Sequence, residues 1–337
     1  MFAALATLFT VTATAALADS DVDSLVEIDS SYLDMNSGAI EWSGATYNAE
    51  RNVLLTVDDE NRAYEFDLNN NGTIDHETPV RQITLGISDS DWEGIAWIDD
   101  ERYAILSEGS GTAYVVDIPL GANSIDDNDV VSSVFAGGPD GNTGSEGIDV
   151  DDNGDFIVTD EMPASISKFS PAGALIGKVM LPQLGDATGV IVAEDDSYVV
   201  ISHESSQAIH IEVDWNAQTA TQIGQVDLNT FSQLEGVALR GNSDVYFFGE
   251  LKGGQTYSHQ TGAVVTYSPW HFMDVDCSGA SDVVDALKIS RIELGLESPN
   301  PECGSGDSDS DGVLTIVDAL LITQCDVGIP NVACPTI

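Results

Sequence analysis

Basic residues are nearly absent from this chain. Lys and Arg number 10 against 57 Asp and Glu, a formal net charge of −47. A surface of that sign repels phosphate backbones and excludes nucleic-acid binding by phosphate neutralisation. It also disfavours anionic membranes. Such a charge keeps a protein soluble but self-repelling, and salt relieves the repulsion, so the composition reads as one suited to saline surroundings. Long apolar runs are missing too: after the N-terminus no stretch reaches membrane-spanning length. The chain has no G-x-S-x-G, no H-E-x-x-H and no Gly-rich phosphate loop, which leaves an enzymatic reading without a nucleophile. No long segment of helical period precedes residue 283. What is present is a 42% hydrophobic fraction, ample for a folded core and unlike that of acidic disordered chains.

Residues 1–18 read as a secretory signal. Met1 to Leu17 carries no acid, Gly or Pro, and the segment ends Ala16-Leu17-Ala18, an A-x-A-like cleavage site. The mature protein is expected to be secreted, extracellular or on the cell surface after cleavage near Ala18. Cys277, Cys303, Cys325 and Cys334, the chain's four cysteines, all lie near the C-terminus. Export and an even count argue for two disulfides stapling a small domain, with three pairings open. A metal-thiolate site is the alternative, and no C-x-x-C supports it.

The same region holds two twelve-residue aspartate loops, 274–285 and 307–318, each running into an Ala-Leu pair that starts an apolar helix. Their spacing is that of a calcium loop. Asp274, Asp276 and Ser278, then Asp307, Asp309 and Asp311, supply side-chain oxygens at positions 1, 3 and 5. Gly279 and Gly312 take the sharp turn at position 6. Ala280 and Val313 would lend carbonyls at position 7, Asp282 and Thr315 would act through water, and Asp285 and Asp318 close the loops at position 12. The tandem resembles a type I dockerin over residues 274–326, a family in which Asp stands at position 12. Arg291 matches a basic position late in the first repeat, where the second has Gln324. The resemblance implies Ca²⁺ as cofactor, two antiparallel helices, the pairings Cys277–Cys325 and Cys303–Cys334, and a cohesin-like or cell-surface partner. Positions 10 and 11, often a Ser/Thr pair in that family, are Val283-Val284 and Ile316-Val317 here. A calcium-stabilised cap with no partner is the alternative.

Between signal and tail, about residues 24–270, five segments share one frame: Ser43-Gly44 to Glu60, Glu93-Gly94 to Glu108, Glu146-Gly147 to Glu161, Thr188-Gly189 to Glu204, and Glu235-Gly236 to Glu250. Each opens on Gly, runs through two short alternating apolar stretches and ends on Glu. Three or four short strands per unit, repeated radially, predict a β-propeller of five blades. Leu25 to Ile28 has no repeat of its own and is expected to supply the outer strand of the last blade. The expected organisation is a signal peptide (1–18), an all-β five-bladed propeller (19–270) and a small all-α calcium-binding dockerin-like domain (271–337). The segments Glu93-Gly-Ile-Ala-Trp97 and Ser145-Glu-Gly-Ile-Asp149 with Val158-Thr-Asp-Glu161 resemble the SdiA-regulated family, described as a five-bladed propeller. The second also resembles esterase-like phytase propellers. Neither likeness implies a catalytic residue.

The strand after each Glu-Gly is expected nearest the axis, which sends Glu93, Glu146 and Glu235 to one mouth of the channel. Glu60, Glu108, Glu161, Glu204 and Glu250 end the next, antiparallel strand and are expected on the same face. Converging carboxylates suit a hard cation, and the competing role is to bond backbone amides between blades. His203 is the acid–base candidate on that face, and His76, His210, His259 and His271 share no spacing. Asp67-Leu-Asn69-Asn-Asn71-Gly72-Thr73-Ile-Asp75-His-Glu77 reads as a further calcium loop. Asp149-Val-Asp151-Asp-Asn153-Gly154 has a similar pattern but falls on a hairpin turn, where Asn-Gly is ordinary chemistry. The functional expectation is a calcium-binding, tail-attached binding module. A metal-dependent hydrolase of phosphoesters, carboxylic esters or lactones at the acidic mouth is the alternative.

Overall fold

The computed structural model describes residues 26–33, 42–69, 72–75, 78–136, 144–193, 196–228, 231–240, 244–251, 262–268, 275, 283–298 and 314–326. Side chains are described in most of these, but not in 26–33, 231–232, 250–251, 262–268 and 325–326. The signal segment lies outside them. So do Asp274, Asp276, Ser278, Ala280, Asp282, Asp307, Asp309, Asp311 and Val313, together with Cys277, Cys303, Cys334 and the Cys325 side chain.

The chain begins with β1 (Val26–Leu33), which waits for a partner from the far end of the sequence. The first sheet is built from β2 (Trp42–Asn48), β3 (Val53–Asp58), β4 (Arg62–Asp67) and β5 (Arg81–Gly86). The second holds β6 (Trp92–Asp99), β7 (Arg102–Ser107), β8 (Thr112–Asp117) and β10 (Val130–Phe135), and the excursion before β10 sends β9 (Ser124–Asp126) back to the first sheet. The third is β11 (Ser145–Val150), β12 (Phe156–Asp160), β13 (Ser165–Phe169) and β14 (Leu175–Met180). The fourth is β15 (Gly189–Val192), β16 (Tyr198–Ser202), β17 (Gln207–Asp214) and β18 (Thr219–Asp227). The fifth is β19 (Phe231–Arg240), β20 (Asp244–Leu251) and β21 (Gly262–Ser268), and β1 completes it as the outer strand, paired antiparallel from Val26↔Ser268 to Leu33↔Gly262. N- and C-terminal strands thus share a sheet, as the orphan N-terminal segment suggested.

The result is a mostly-β propeller in which each sheet is a meander of short antiparallel strands. Its units are less uniform than the repeat implied: four sheets have four strands, and one has five because β9 pairs with β5 in parallel. The extra strand belongs to the longest repeat unit. Arg81 anchors the excursion by donating to the Pro119 and Ala122 carbonyls at 2.9 and 3.2 Å. Arg81 and Arg51 both pair with Glu65 beneath it.

The recurrent glycine has a packing cause. The inner strands touch in cyclic order: β2 beside β6, β6 beside β11, β11 beside β15, β15 beside β19 and β19 beside β2. A Cβ on Gly44 would fall 2.5 Å from the Gly94 Cα, one on Gly147 2.6 Å from the Gly189 Cα, and one on Gly236 2.6 Å from the Ser43 carbonyl. Only glycine lets neighbouring backbones approach this closely around the axis. Gly44→Ala is expected to destabilise the propeller by about 2 kcal/mol, the usual cost of overpacking, since all its close neighbours are backbone atoms. Thermal unfolding checks this; an unchanged midpoint would mean the inner strands separate freely.

Between adjacent sheets lie closed apolar layers, such as Val53, Leu55, Ile83, Trp92, Ile95 and Ile105, each at most 3% exposed. Polar groups stitch the same seams. Thr46 Oγ1 accepts the Trp97 amide at 2.9 Å, and Asp149 Oδ2 accepts the Val192 amide at 2.7 Å.

The tail contributes two helices, α1 (Val283–Glu293) and α2 (Ile316–Asp326), packed through Val275, Ala286, Ile289, Ala319 and Ile322. Each starts two residues before the loop's twelfth position. No helix among the described residues is long and apolar enough to cross a membrane.

Candidate functional site: an acidic cup at the propeller axis

Strand pairing assembles the site. In the second sheet Trp92 pairs with Ser107, and the Glu108 amide donates to the Asp91 carbonyl at 2.9 Å. The start of β6 and the end of β7 are thereby held side by side, with Asp91, Glu93 and Glu108 at one end of the sheet. Asp91 sits at φ 65°, a left-handed conformation that Asp tolerates better than most residues. The third sheet repeats the arrangement: the Glu161 amide donates to the Gly144 carbonyl at 2.9 Å and brings Glu161 beside the Glu146 strand.

These ends enclose a cup of about 460 Å³. Trp42, Ser43 and Asp59 line it from the first sheet, Asp91, Glu93 and Glu108 from the second, and Glu146 and Glu161 from the third. Thr188 and His203 come from the fourth, and Gln233, Glu235 and Gly249 from the fifth. Among the described residues no Lys or Arg is in the lining. One carboxylate oxygen each from Asp91, Glu93 and Glu108 lies within 4.8 Å of the others, a spacing that a hard cation could bridge.

The electrostatics follow from that crowding. Burial, above all, pushes Glu93 up to about 7; a Ser43 hydroxyl bond opposes this, and the charges of Asp91, Glu108 and Asp59 add to it. Glu146 is driven to about 10 by burial first and then by Glu93, Glu108, Glu161 and Glu235. Glu161 is raised by burial and by Asp186, Glu108 and Glu204. Glu108, 5% exposed, accepts the Gly144 amide on Oε1 at 2.9 Å. His203 Nδ1 lies 3.7 Å from Glu235 Oε1.

The expected convergence therefore holds for Glu93, Glu146, Glu235, Glu108 and Glu161, with His203 among them. Glu108 also performs the stitching role, bonding an amide of the next sheet. Glu60 does not reach the cup: its exposed side chain pairs with Arg62, and its neighbour Asp59 takes the place. Glu204 lies against Gly185, outside the lining, and the side chain of Glu250 lies outside the described residues. Asp91 and Gln233 were missed: each stands two residues before the Glu that precedes the repeat glycine, but the ladder is bulged at that Glu, so simple alternation does not place them.

The other candidates settle differently. The Asp149–Gly154 stretch closes the β11–β12 hairpin, and Asp151 accepts the Asn153 and Asp155 amides while binding Lys168 at 2.5 Å. The Asp67 loop connects β4 to β5, where Asn69 Oδ1 accepts the Thr73 amide at 3.0 Å and Gly72 O accepts the Tyr246 hydroxyl at 2.6 Å. Asn71, His76 and Glu77 lie outside the described residues. In the tail, Asp285 and Asp318 are fully buried at the helix starts. Asp318 Oδ2 accepts from the Thr315 amide and hydroxyl at 2.7 and 3.1 Å, and Thr315 Oγ1 accepts the Val317 amide, a reciprocal helix cap. His210 is buried beside Ser197 at 2.6 Å, away from the cup.

Fold and site together define a β-propeller with an acidic axial cup. The chain belongs to the SdiA-regulated family, which matches residues 26–250. Among solved structures it is similar to the glutaminyl cyclase of Myxococcus xanthus, with a TM-score of 0.51 and 14% identity over 72% of this chain and 96% of that one. A luciferin-regenerating enzyme (TM-score 0.44, 10% identity, 71% and 95% covered) and the virginiamycin B lyase of Staphylococcus aureus (0.41, 11%, 75% and 76%) also match. At these identities the likeness concerns the fold alone. A search of curated proteins finds no match.

Proposed function

We propose that this is an exported calcium-binding protein in which residues 274–326, a dockerin-like tail, attach a five-bladed propeller to a cohesin-like or cell-surface partner. The propeller is a binding module, and its ligand site is the acidic cup. The observation that carries this reading is the convergence of carboxylates from four of the five sheets, with His203 from the remaining one, on a single cavity. Seam-stitching explains Glu108 but not Glu146, for which no hydrogen bond is found among the described residues.

The tail reading is supported by its repeated geometry. Val283, Val284 and Leu287 on α1 and Ile316, Val317 and Leu320 on α2 stand at equivalent loop and helix positions and are all 47–59% exposed. Apolar side chains held out in matching places suit a protein partner. Leu287→Glu together with Leu320→Glu in the full chain is expected to weaken calcium-dependent capture by cohesin domains at least 100-fold. Undiminished capture would remove this face from the contact, and no capture by wild type leaves the tail a calcium-stabilised cap.

One observation favours a hydrolase as the second reading. His203, beside Glu235, and the Asp91–Glu93–Glu108 group line the same cup, so an acid–base residue and a candidate cation site share a cavity. In that case His203→Ala is expected to lower turnover of a phosphomonoester or lactone by at least about 100-fold. Absence of turnover across both substrate classes leaves the binding module.

A further inference from the structure

The propeller's exposed apolar side chains are not scattered. Of the eight large ones exposed among its described residues, six stand on or beside the outer strands of two adjoining sheets. Val131 and Phe135 belong to β10, and Leu175, Ile176 and Met180 belong to β14. Met162 stands in the β12–β13 turn. The Leu181 amide ties that turn to the end of β14 by donating to the Ala164 carbonyl at 2.9 Å. The two sheets meet at this rim: a Cβ on Gly173, in the turn before β14, would fall 3.2 Å from Val134 Cγ1 of β10. Single exposed apolar residues are ordinary, but a cluster of them marks an interaction surface.

Charge sets the same rim apart. In a chain of net charge −47, residues 130–136 and 162–185 contain no Asp or Glu. The outer strands of the other three sheets all carry acids: Glu27 and Asp29 in β1, Asp126 in β9 and Asp227 in β18. Lys178, the charged residue of β14, binds Asp160 Oδ2 at 2.6 Å and neutralises it. A basic partner is drawn to the acidic remainder of the surface and gains nothing from a rim without acids. A partner as acidic as this chain needs such a rim, since elsewhere like charges meet. A second copy is that partner, and its own rim matches: apolar, free of acids and self-complementary about a two-fold axis.

Side chains make the contact, not backbone. β10 and β14 are each bulged, with Val131 and Ile176 as the extra residues. A bulge interrupts the ladder and hinders strand addition. Both bulged residues nevertheless hold their apolar side chains out to solvent.

We propose that this chain forms a two-fold homodimer through the outer rim of its second and third sheets, with β10 and β14 of each copy at the contact, and that salt promotes the association. This is independent of what the cup binds.

Sedimentation velocity of the full chain at one protein concentration tests it, with Ca²⁺ present throughout. Wild type is expected to be a monomer in about 0.01 M salt and a dimer in about 1 M, between which the screening length falls from about 30 to about 3 Å. Ile176→Asp and Val131→Asp are each expected to weaken the dimer in high salt at least about tenfold, since each places a carboxylate in both halves of the contact. Both positions are exposed, and an unchanged thermal midpoint of the monomer shows that the fold is kept. Leu120→Asp, at an exposed position in the connection before β9, is expected to leave the dimer unchanged. A wild-type monomer at both salt concentrations overturns the proposal. So does a dimer that survives both rim variants, which is then held elsewhere, or one that Leu120→Asp weakens equally, which is then non-specific.

Discussion

Glu146→Gln is expected to stabilise the metal-free propeller at pH 8, by on the order of 3 kcal/mol, a rise of about 8 °C in the unfolding midpoint for a domain of this size. Glu146 is a largely buried carboxylate among Glu93, Glu108, Glu161 and Glu235, and its folded-state value is pushed up to about 10. A raised folded value means that the native state holds a proton which the unfolded chain has released. The stability this contributes is complete below the ordinary glutamate range and is lost as pH rises through about 10; Glu93 adds a smaller loss through about 7. Glutamine fills the same space and has no proton to lose, so the advantage of the variant grows from pH 5 to pH 8 and disappears near pH 4. Calorimetry in chelator at these three values checks it. A lower midpoint for the variant at pH 8 would mean that Glu146 is a satisfied carboxylate, contrary to the geometry.

Removal of calcium is expected to abolish most of the helical circular dichroism of the full chain while leaving the β signal in place. The described helices are α1 and α2 alone, so the signal reports the tail. Among the described residues their shared core is Val275, Ala286, Ile289, Ala319 and Ile322, with Ile292, Leu314 and Leu321 packed against it. So small a core does not sustain a domain without disulfides or metal. The loop acids add a second reason: without a cation, the carboxylates of each loop repel one another at a helix start. Retention of the helical signal in excess chelator would falsify calcium as the agent that folds the tail. If the signal survives chelation but not chelation with reductant, the cysteines carry the fold.

Much of the propeller was legible in the chain. The Gly-to-Glu frame marked every inner strand because its cause is local and repeated: backbones that meet around an axis exclude a Cβ, and the strand that follows returns to the same face. The place of Glu93 and Glu146 just before that glycine put them at the mouth for the same reason. Asp91 was not legible, because a bulge at Glu93 interrupts the alternation of β6. The frame failed for Glu60: the residue that follows β3, as Glu108 follows β7, is Asp59, and Glu60 is left to Arg62. The parallel strand β9 was not legible, since three residues in a long connection carry no period, and their pairing with β5 depends on a different repeat.

The sequence by itself determined the radial repeat, the sheet shared by the two ends of the propeller, and the acidity of one face, because strand alternation and close inner packing act over a few residues. Only the tertiary structure decided which carboxylates share a cavity, that Glu108 also stitches two sheets, and that the Trp92 indole donates to Asn61 of the neighbouring sheet. Those properties depend on distances between residues far apart in the chain, set when the five sheets close on one another, and no local pattern encodes them.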